Sequence, residues 1–362
     1  MGTLRSILAI AVVVFHSYKI FGLRLCGGQV AVQSFYMISG FYMALVLNEK
    51  YTGKGFYKTF ILSRFYRIFP VYWLVLLCAV LVSVVAYYTI GKPFYLGRYI
   101  SSSDCLSPGT MLWFVLENII VIGQDVLYFL KLDEFCKPEF VYNTLSFRHT
   151  GYQYLFVPQA WSISIECVFY LLAPFMVTKK IRWQLLIVLL SLALRYVVVT
   201  KFYLGFDPWT YRFFPFELAF FLAGSLAYRY YKFLEGKQVS IYMGYGLLIG
   251  LLALIALFDE IPLKDTLKNY SFYLLFLSAL PYIFHSFKNN KADRYIGELS
   301  FSIYIVHHLV VILLRGRFFG NPYWLEYYGY VVIAISVLLA VVMQKWLVAP
   351  LDRYRHRLAI HS

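Results

Sequence analysis

Charge is what this sequence has least of. Of 362 residues, 14% are Asp, Glu, Lys or Arg, against about 25% in soluble domains. That excludes an ordinary water-soluble globular chain. Acidic residues are the scarcer kind: 18 stand against 33 basic ones, for a formal charge of +15. In so apolar a chain the excess reads as basic loops on one side of a membrane, not as a nucleic-acid surface. The five cysteines are scattered and form no C-x-x-C, so a thioredoxin-like redox motif is excluded. No glycine-rich phosphate loop, zinc-spaced Cys/His set or G-x-S-x-G elbow occurs. No metal site and no resident cofactor are therefore expected. No small-residue cleavage site follows the first apolar stretch, which is expected to remain as a helix. Repeats, low-complexity tracts and an appended soluble domain are also missing. Residues 1–362 are expected to form one integral-membrane domain, its function lying in the bundle or its short loops.

What is present is apolar and aromatic: 61% hydrophobic residues, with 34 Tyr and 33 Phe, and a mean hydropathy of +0.67. A span needs about 20 mostly apolar residues. Candidate segments lie near 4–22, 29–48, 68–90, 110–131, 160–178, 182–203, 211–231, 239–258, 269–287, 296–314 and 327–349. Lys50, Lys54, Lys58, Arg64 and Arg67 mark the loop 49–67. Lys179, Lys180 and Arg182 mark 179–182, Arg229, Lys232 and Lys237 mark 229–237, and Lys288, Lys291 and Arg294 mark 288–294. Arg353, Arg355 and Arg357 mark the tail. The positive-inside rule puts these loops in the cytoplasm, and the more neutral loops near 201–210, 259–268 and 315–326 outside. An even number of crossings must then join loop 49–67 to loop 179–182, so 110–131 does not cross. Its Glu117, Asn118, Gln124 and Asp125 are also costly in lipid. The reading is an all-α bundle of about ten transmembrane helices in the plasma (inner) membrane, both termini cytoplasmic, with a re-entrant or interfacial helix near 110–131. The alternative is that this segment crosses and the charge rule fails locally.

Several ionisable residues sit where lipid would forbid them. Arg5 opens the first span at the inner face. His16, eleven residues on, stands about 16 Å higher at 1.5 Å per residue. His307 and His308 lie at a similar depth in span ten, and Glu166 lies about two turns inside span five. Polar groups at such depth mark a substrate path or a proton relay, and a His near a Glu suits general base catalysis. Arg64 and Arg67, three apart, share a helix face at the level of Arg5, and forked guanidiniums suit phosphate. Each residue also has a plain structural reading: an inter-helix hydrogen bond for His16, a salt bridge for Glu166, positive-inside anchoring for the arginines. His307 and His308 cannot face the same way, so one is structural or interfacial. Glu217 reads as a helix–helix contact and Arg195 as snorkelling or paired. Cys167 adjoins Glu166 but points about 100° away on a helix. Cys105 and Cys136 share the outer region, where a disulfide is feasible. Two free thiols are the expectation, with the bridge as the alternative.

At these residues the sequence resembles the acyltransferase 3 family of membrane acyltransferases. "RSILAIAVVVFH" resembles its Arg, ten residues, His. "FYMISGFYMAL" resembles its Phe-x-x-x-Ser-Gly-Phe, and "RFYRIFPVYWL" its Arg-x-x-Arg followed by Ile-x-Pro. "AWSISIECVFYLLAP" resembles its Trp-Ser-x-x-x-Glu-x-x-Phe-Tyr-x-x-x-Pro. "GELSFSIYIVHH" resembles its Gly-x-x-Ser-Tyr-x-x-Tyr-x-x-His, with Phe301 replacing Tyr. The resemblance implies a ten-helix enzyme that acylates, commonly acetylates, a cell-surface polysaccharide or its lipid-linked precursor from cytoplasmic acyl-CoA. It implies His16 as the catalytic His with Arg5 as its motif partner, and donor contacts from Arg64 and Arg67. Glu166 and His307 would line the site, Glu166 as a catalytic partner that orients or charge-balances His16, with Ser39, Trp161 and Ser162 as further motif positions. The family often carries an SGNH-type domain after the bundle. This sequence ends at Ser362 without one, so a hand-off to such a domain is expected to need a separate protein of glycan synthesis. The rival class is a transporter or flippase for a lipid-linked sugar or small anion, with the His and Glu as its proton relay. The absence of paired halves disfavours it.

Overall fold

Long apolar runs free of paired Gly–Pro breaks become helices in the computed structural model, which describes residues 1–51, 53, 55–318 and 322–360. The side chains of Arg355 and Arg357 lie outside the described residues. In order come α1 (Gly2–His16), α2 (Gly27–Glu49), α3 (Phe56–Ile90), α4 (Gly97–Ser101), α5 (Pro108–Ile120), α6 (Trp161–Met176) and α7 (Ile181–Lys201). Then follow α8 (Trp209–Arg212), α9 (Phe214–Leu234), α10 (Ile241–Ala256), α11 (Asp265–Phe287), α12 (Lys291–Phe318), α13 (Pro322–Met343) and α14 (Ala349–Ile360). Among the described residues seven stretches are long and apolar enough to cross a membrane; six contain or lie within α2, α3, α6, α7, α11 and α12, and the seventh, Trp324–Tyr354, runs from α13 into α14. α1 and α10 are apolar but shorter. α9, which carries Glu217, Arg229 and Lys232, falls in neither group.

Four expectations change. The loop 49–67 is helical from Phe56 onward, because nothing between there and Pro70 breaks a helix; Arg64 and Arg67 therefore ride on α3 itself. α1 stops at His16, where Ser17 bonds back to Val13 and Val14 and the chain turns through Phe21 and Gly22 at positive φ. His16 is thus the last residue of its helix, not a mid-span residue. Segment 110–131 is not one helix. α5 ends at Ile120, where Val121 takes φ 71°, after 13 residues. Finally, Cys105 and Cys136 are joined in a disulfide. It ties the turn after α4 to a two-stranded ribbon, Leu130–Leu132 against Pro138–Phe140. The two thiols meet because the chain beyond α5 folds back as a cap.

Protein partners meet part of the polar demand of that segment, although Glu117 Oε2 and Gln124 Oε1 are buried without a hydrogen-bond partner. Asn118 donates to the carbonyl of Tyr154 at 2.9 Å and accepts from the Phe156 amide at 2.8 Å. Gln124 donates to the Tyr72 hydroxyl at 3.0 Å, and Ser164 donates to Asp125 at 2.6 Å. Buried polar groups so paired need no water, which is how this segment tolerates an apolar setting.

Two glycine contacts set the crossings of the bundle. A Cβ on Gly40 would fall 1.8 Å from the Phe221 carbonyl oxygen, and one on Gly224 would fall 1.8 Å from the Met37 carbonyl oxygen, so α2 and α9 cross backbone to backbone. Gly2 and Gly297 do the same for α1 and α12. Small residues at such crossings allow the close packing on which membrane helices depend. The α1–α12 register is fixed by Asp293, whose carboxylate accepts from the amides of Gly2 and Thr3 at 2.7 and 2.8 Å. Glu217 is a helix–helix contact: it accepts from Gln33 at 3.0 Å and pairs with Arg195 at 3.6 Å.

Candidate active site

Each end of α1 lines a cavity of the bundle. The first, of about 530 Å³, is lined by Arg5, Arg64 and Arg67 together with Ser39, Ser162 and Glu166. Arg5 comes from the first turns of α1. Arg64 and Arg67 come from one face of α3 three residues apart, as their spacing predicts. Six cationic side chains face four carboxylates across this cavity. No carboxylate lies within ion-pair distance of Arg5, Arg64 or Arg67 among the described residues. Arg64 is buried between the rings of Phe60 and Tyr170, and its Nε has no hydrogen-bond partner. Three guanidiniums without counter-ions on one wall form a site for an anion.

Glu166 belongs to this arginine cavity. Its Oε1 accepts from the Ser39 hydroxyl and the Tyr170 hydroxyl, each at 2.6 Å. A role for Glu166 in orienting or balancing His16 does not fit that placement. Depth along the membrane brought the two together in the sequence, but helix rotation turns Glu166 toward α2.

The second cavity, of about 780 Å³, lies around the other end of α1 and is lined by His16, His308, Trp161 and Arg212 among others. His16 stands exposed on it. The His16 Nδ1 lies 3.0 Å from the Val12 carbonyl and 3.3 Å from Nε2 of His307. The Nδ1 of His307, which is fully buried, lies 2.5 Å from the Tyr304 carbonyl. A carbonyl can only accept, so both rings carry their proton on Nδ1 when neutral. His307 then offers an Nε2 lone pair to the His16 Nδ1–H, and the Nε2 of His16 keeps a lone pair of its own. His308 points elsewhere: its Nδ1 is 2.8 Å from the Tyr95 hydroxyl. The adjacent histidines do divide, but the other way from what the resemblance implies: His308 lines the cavity, and His307 is buried behind His16, because the helix turns it toward α1.

Trp161 and Ser162, neighbours at the start of α6, face different cavities. Between the cavities stands a polar wall. The Ser162 and Tyr304 hydroxyls are 2.6 Å apart, and both donate to the Gln159 carbonyl, at 3.2 and 3.0 Å.

Reasoning from the sequence missed Arg212. It is buried at the entry to α9, and its Nε and Nη2 donate to the two Asp207 oxygens at 2.6 and 3.0 Å. Its guanidinium lies 4.0 Å from the Tyr128 ring centroid and 4.2 Å from that of Trp161. Burial pushes the Tyr211 phenol up to about 12 against the pull of Arg212. Tyr211 therefore stays protonated and accepts from Arg212 Nη2 at 2.9 Å. The available signal was Asp-Pro-Trp-Thr-Tyr-Arg, a charge pair with aromatics in a loop otherwise close to neutral.

Comparison with known proteins agrees with this geometry. The family model described as an acyltransferase domain, of the acyltransferase 3 type, matches residues 2–343. Among curated proteins, O-acetyltransferase OatA from Staphylococcus aureus strains NCTC 8325 and COL is 25% identical over 379 aligned residues. The alignment spans 97% of this chain but 56% of each relative, so the chain covers little over half their length. No solved structure matches. With nearly its whole length matched by the family model and that family's Arg and His motif residues on two facing cavities, the chain belongs to the acyltransferase 3 family.

Proposed function

We propose that this protein is a membrane O-acyltransferase, transferring an acyl group, most simply acetyl, from acyl-CoA to a hydroxyl of a cell-surface polysaccharide or lipid-linked glycan precursor. The observation that carries the reading is the two-ended α1: Arg5 beside two more unpaired arginines at one end, and His16 with a free Nε2 lone pair at the other. In this reading α1, α9 and α10 also cross, giving ten spans, while α5 stays at the outer face as a re-entrant or interfacial helix. The basic loops and both termini lie in the cytoplasm at the plasma membrane. Glycan-synthesis proteins would be the partners that supply or receive the acceptor.

The chemistry follows from the residues. Arg5, Arg64 and Arg67 bind the donor's phosphates, and Glu166, held by Ser39 and Tyr170, limits the positive charge of that cavity. The thioester passes the wall of Ser162, Tyr304 and Gln159. The acceptor hydroxyl attacks its carbonyl carbon as the His16 Nε2 takes the hydroxyl proton. The carbon–sulfur bond breaks, and the thiolate of the coenzyme leaves and recovers that proton from His16. His307 stabilises the charged ring from behind.

The test uses purified protein in lipid vesicles with radiolabelled acetyl-CoA and the host's surface glycans. Wild type is expected to label glycan. His16→Ala is expected to lose about 10²-fold or more in kcat, the usual worth of a general base. Arg67→Ala is expected to raise the KM for acetyl-CoA. Equal transfer by His16→Ala would remove the proposed base. No transfer by wild type with acetyl or longer acyl donors would favour a transporter of a lipid-linked sugar or small anion.

A further inference from the structure

We propose that the histidine cavity seats an acceptor sugar bearing an anionic group, carboxylate or phosphate, and that Arg212 is the residue that recognises it. This deepens the reading above and rests on it for the word acceptor. Arg98 and Arg212 line the cavity beside one carboxylate, that of Asp207, among the described residues. A neutral sugar needs no such excess. Arg212 is the better built of the two. Asp207 grips one edge of the guanidinium through two hydrogen bonds, and Tyr128 and Trp161 hold it by stacking. Its Nη1 is left with no partner, although the residue is nine-tenths buried. A buried charged donor left unsatisfied is costly, and an oxyanion entering the cavity would satisfy it. Arg98 lies further out and spends its two Nη groups on His149 and the Arg148 carbonyl, at 3.4 and 3.3 Å. The aromatic rings around Arg212 hold its guanidinium in place, while His16 shares the same cavity. Recognition and proton removal thus fall on one bound acceptor.

The anion has two sources: a uronate within a glycan, or the phosphate that links a sugar to its lipid. Equilibrium binding to the full chain in nanodiscs, without any acyl donor, separates them. The probes are a neutral glucose disaccharide, the same disaccharide with a terminal uronate, and the same disaccharide 1-phosphate. Wild type is expected to bind one charged probe about tenfold or more tighter than the neutral one, the worth of one charge-assisted hydrogen bond. The charged probe that wins names the source. Arg212→Gln is expected to bring all three within about twofold, Arg212→Lys to fall between, and Lys237→Gln, exposed beyond α9 and outside both cavities, to match wild type. Thermal unfolding of each variant separates lost binding from lost fold. Equal binding of the three probes by wild type, no binding of any, or a preference that survives in Arg212→Gln overturns the proposal. A charged-probe preference in a protein that transfers no acyl group would leave this site standing and sink the acyltransferase reading instead.

Discussion

His307 has no route to a substrate of its own: it is fully buried, and its ring meets His16 and a backbone carbonyl. It is a positioning residue, accepting the His16 Nδ1–H so that the opposite nitrogen keeps its lone pair. His307→Ala is expected to lower kcat about tenfold or more while leaving the KM for acetyl-CoA unchanged. His307→Gln, whose side-chain oxygen can accept the same proton, is expected to recover part of the loss. Kinetics of label transfer for the two variants check this; equal rates for both would remove the hydrogen bond as the cause. At this scale much was legible in the sequence. Arg5, Arg64, Arg67 and His16 are costly in lipid and carry a fixed spacing, so each drew notice, and each lines a cavity. Glu166 was legible as a functional candidate but not as a neighbour of Ser39. Depth can be counted from a helix start, whereas rotation depends on which helices pack against it. Arg212 was illegible because its aromatic partners Tyr128 and Trp161 are far apart in the sequence.

The helices assemble where side chains are absent. Gly40 and Gly224 let α2 and α9 touch, and an added methyl at either would meet backbone that no rotamer change can move. Gly224→Ala is expected to cost about 1–3 kcal/mol, the usual penalty of overpacking, read as a lower unfolding temperature in detergent. Gly246 in α10 has open space around its would-be Cβ, so Gly246→Ala is the control and is expected to be neutral or mildly stabilising, since alanine is the better helix former. Equal behaviour of the two variants would remove the close crossing as the cause. The Ser-Gly of the second-helix motif thereby acquires two separate reasons. Ser39 holds Glu166, and Gly40 admits α9. Hydropathy located the helices but misplaced several ends. Charge placed Arg64 and Arg67 in the loop 49–67 while their spacing placed them on a helix face, and the spacing holds, because a helix continues wherever no residue breaks it. The α1 terminus depends on the turn at Phe21 and Gly22, which periodicity does not register.

The whole molecule carries a polarity that the proposed reaction requires: donor from one side, acceptor from the other. The ends of the bundle differ chemically. The arginine end carries Lys50, Lys288 and Arg294 at its cavity. The histidine end is capped by the chain between α3 and α6, with the disulfide and ribbon within it. A disulfide persists in an oxidising compartment, and basic loops stay in the cytoplasm, so the proposed orientation has two independent tendencies behind it. Tyr142, exposed on the cap, and Lys237, exposed beyond the far end of α9, sample the two sides. With single cysteines at these positions, a membrane-impermeant thiol reagent is expected to label Tyr142→Cys in intact cells and Lys237→Cys only after permeabilisation. The reverse pattern would put the arginines outside, away from a cytoplasmic coenzyme, and His16 inside. Labelling of both in intact cells would mean that α9 does not separate them and that the ten-span count fails. The expected pattern fixes Arg5 and His16 on opposite sides of the barrier that an acyl group must cross.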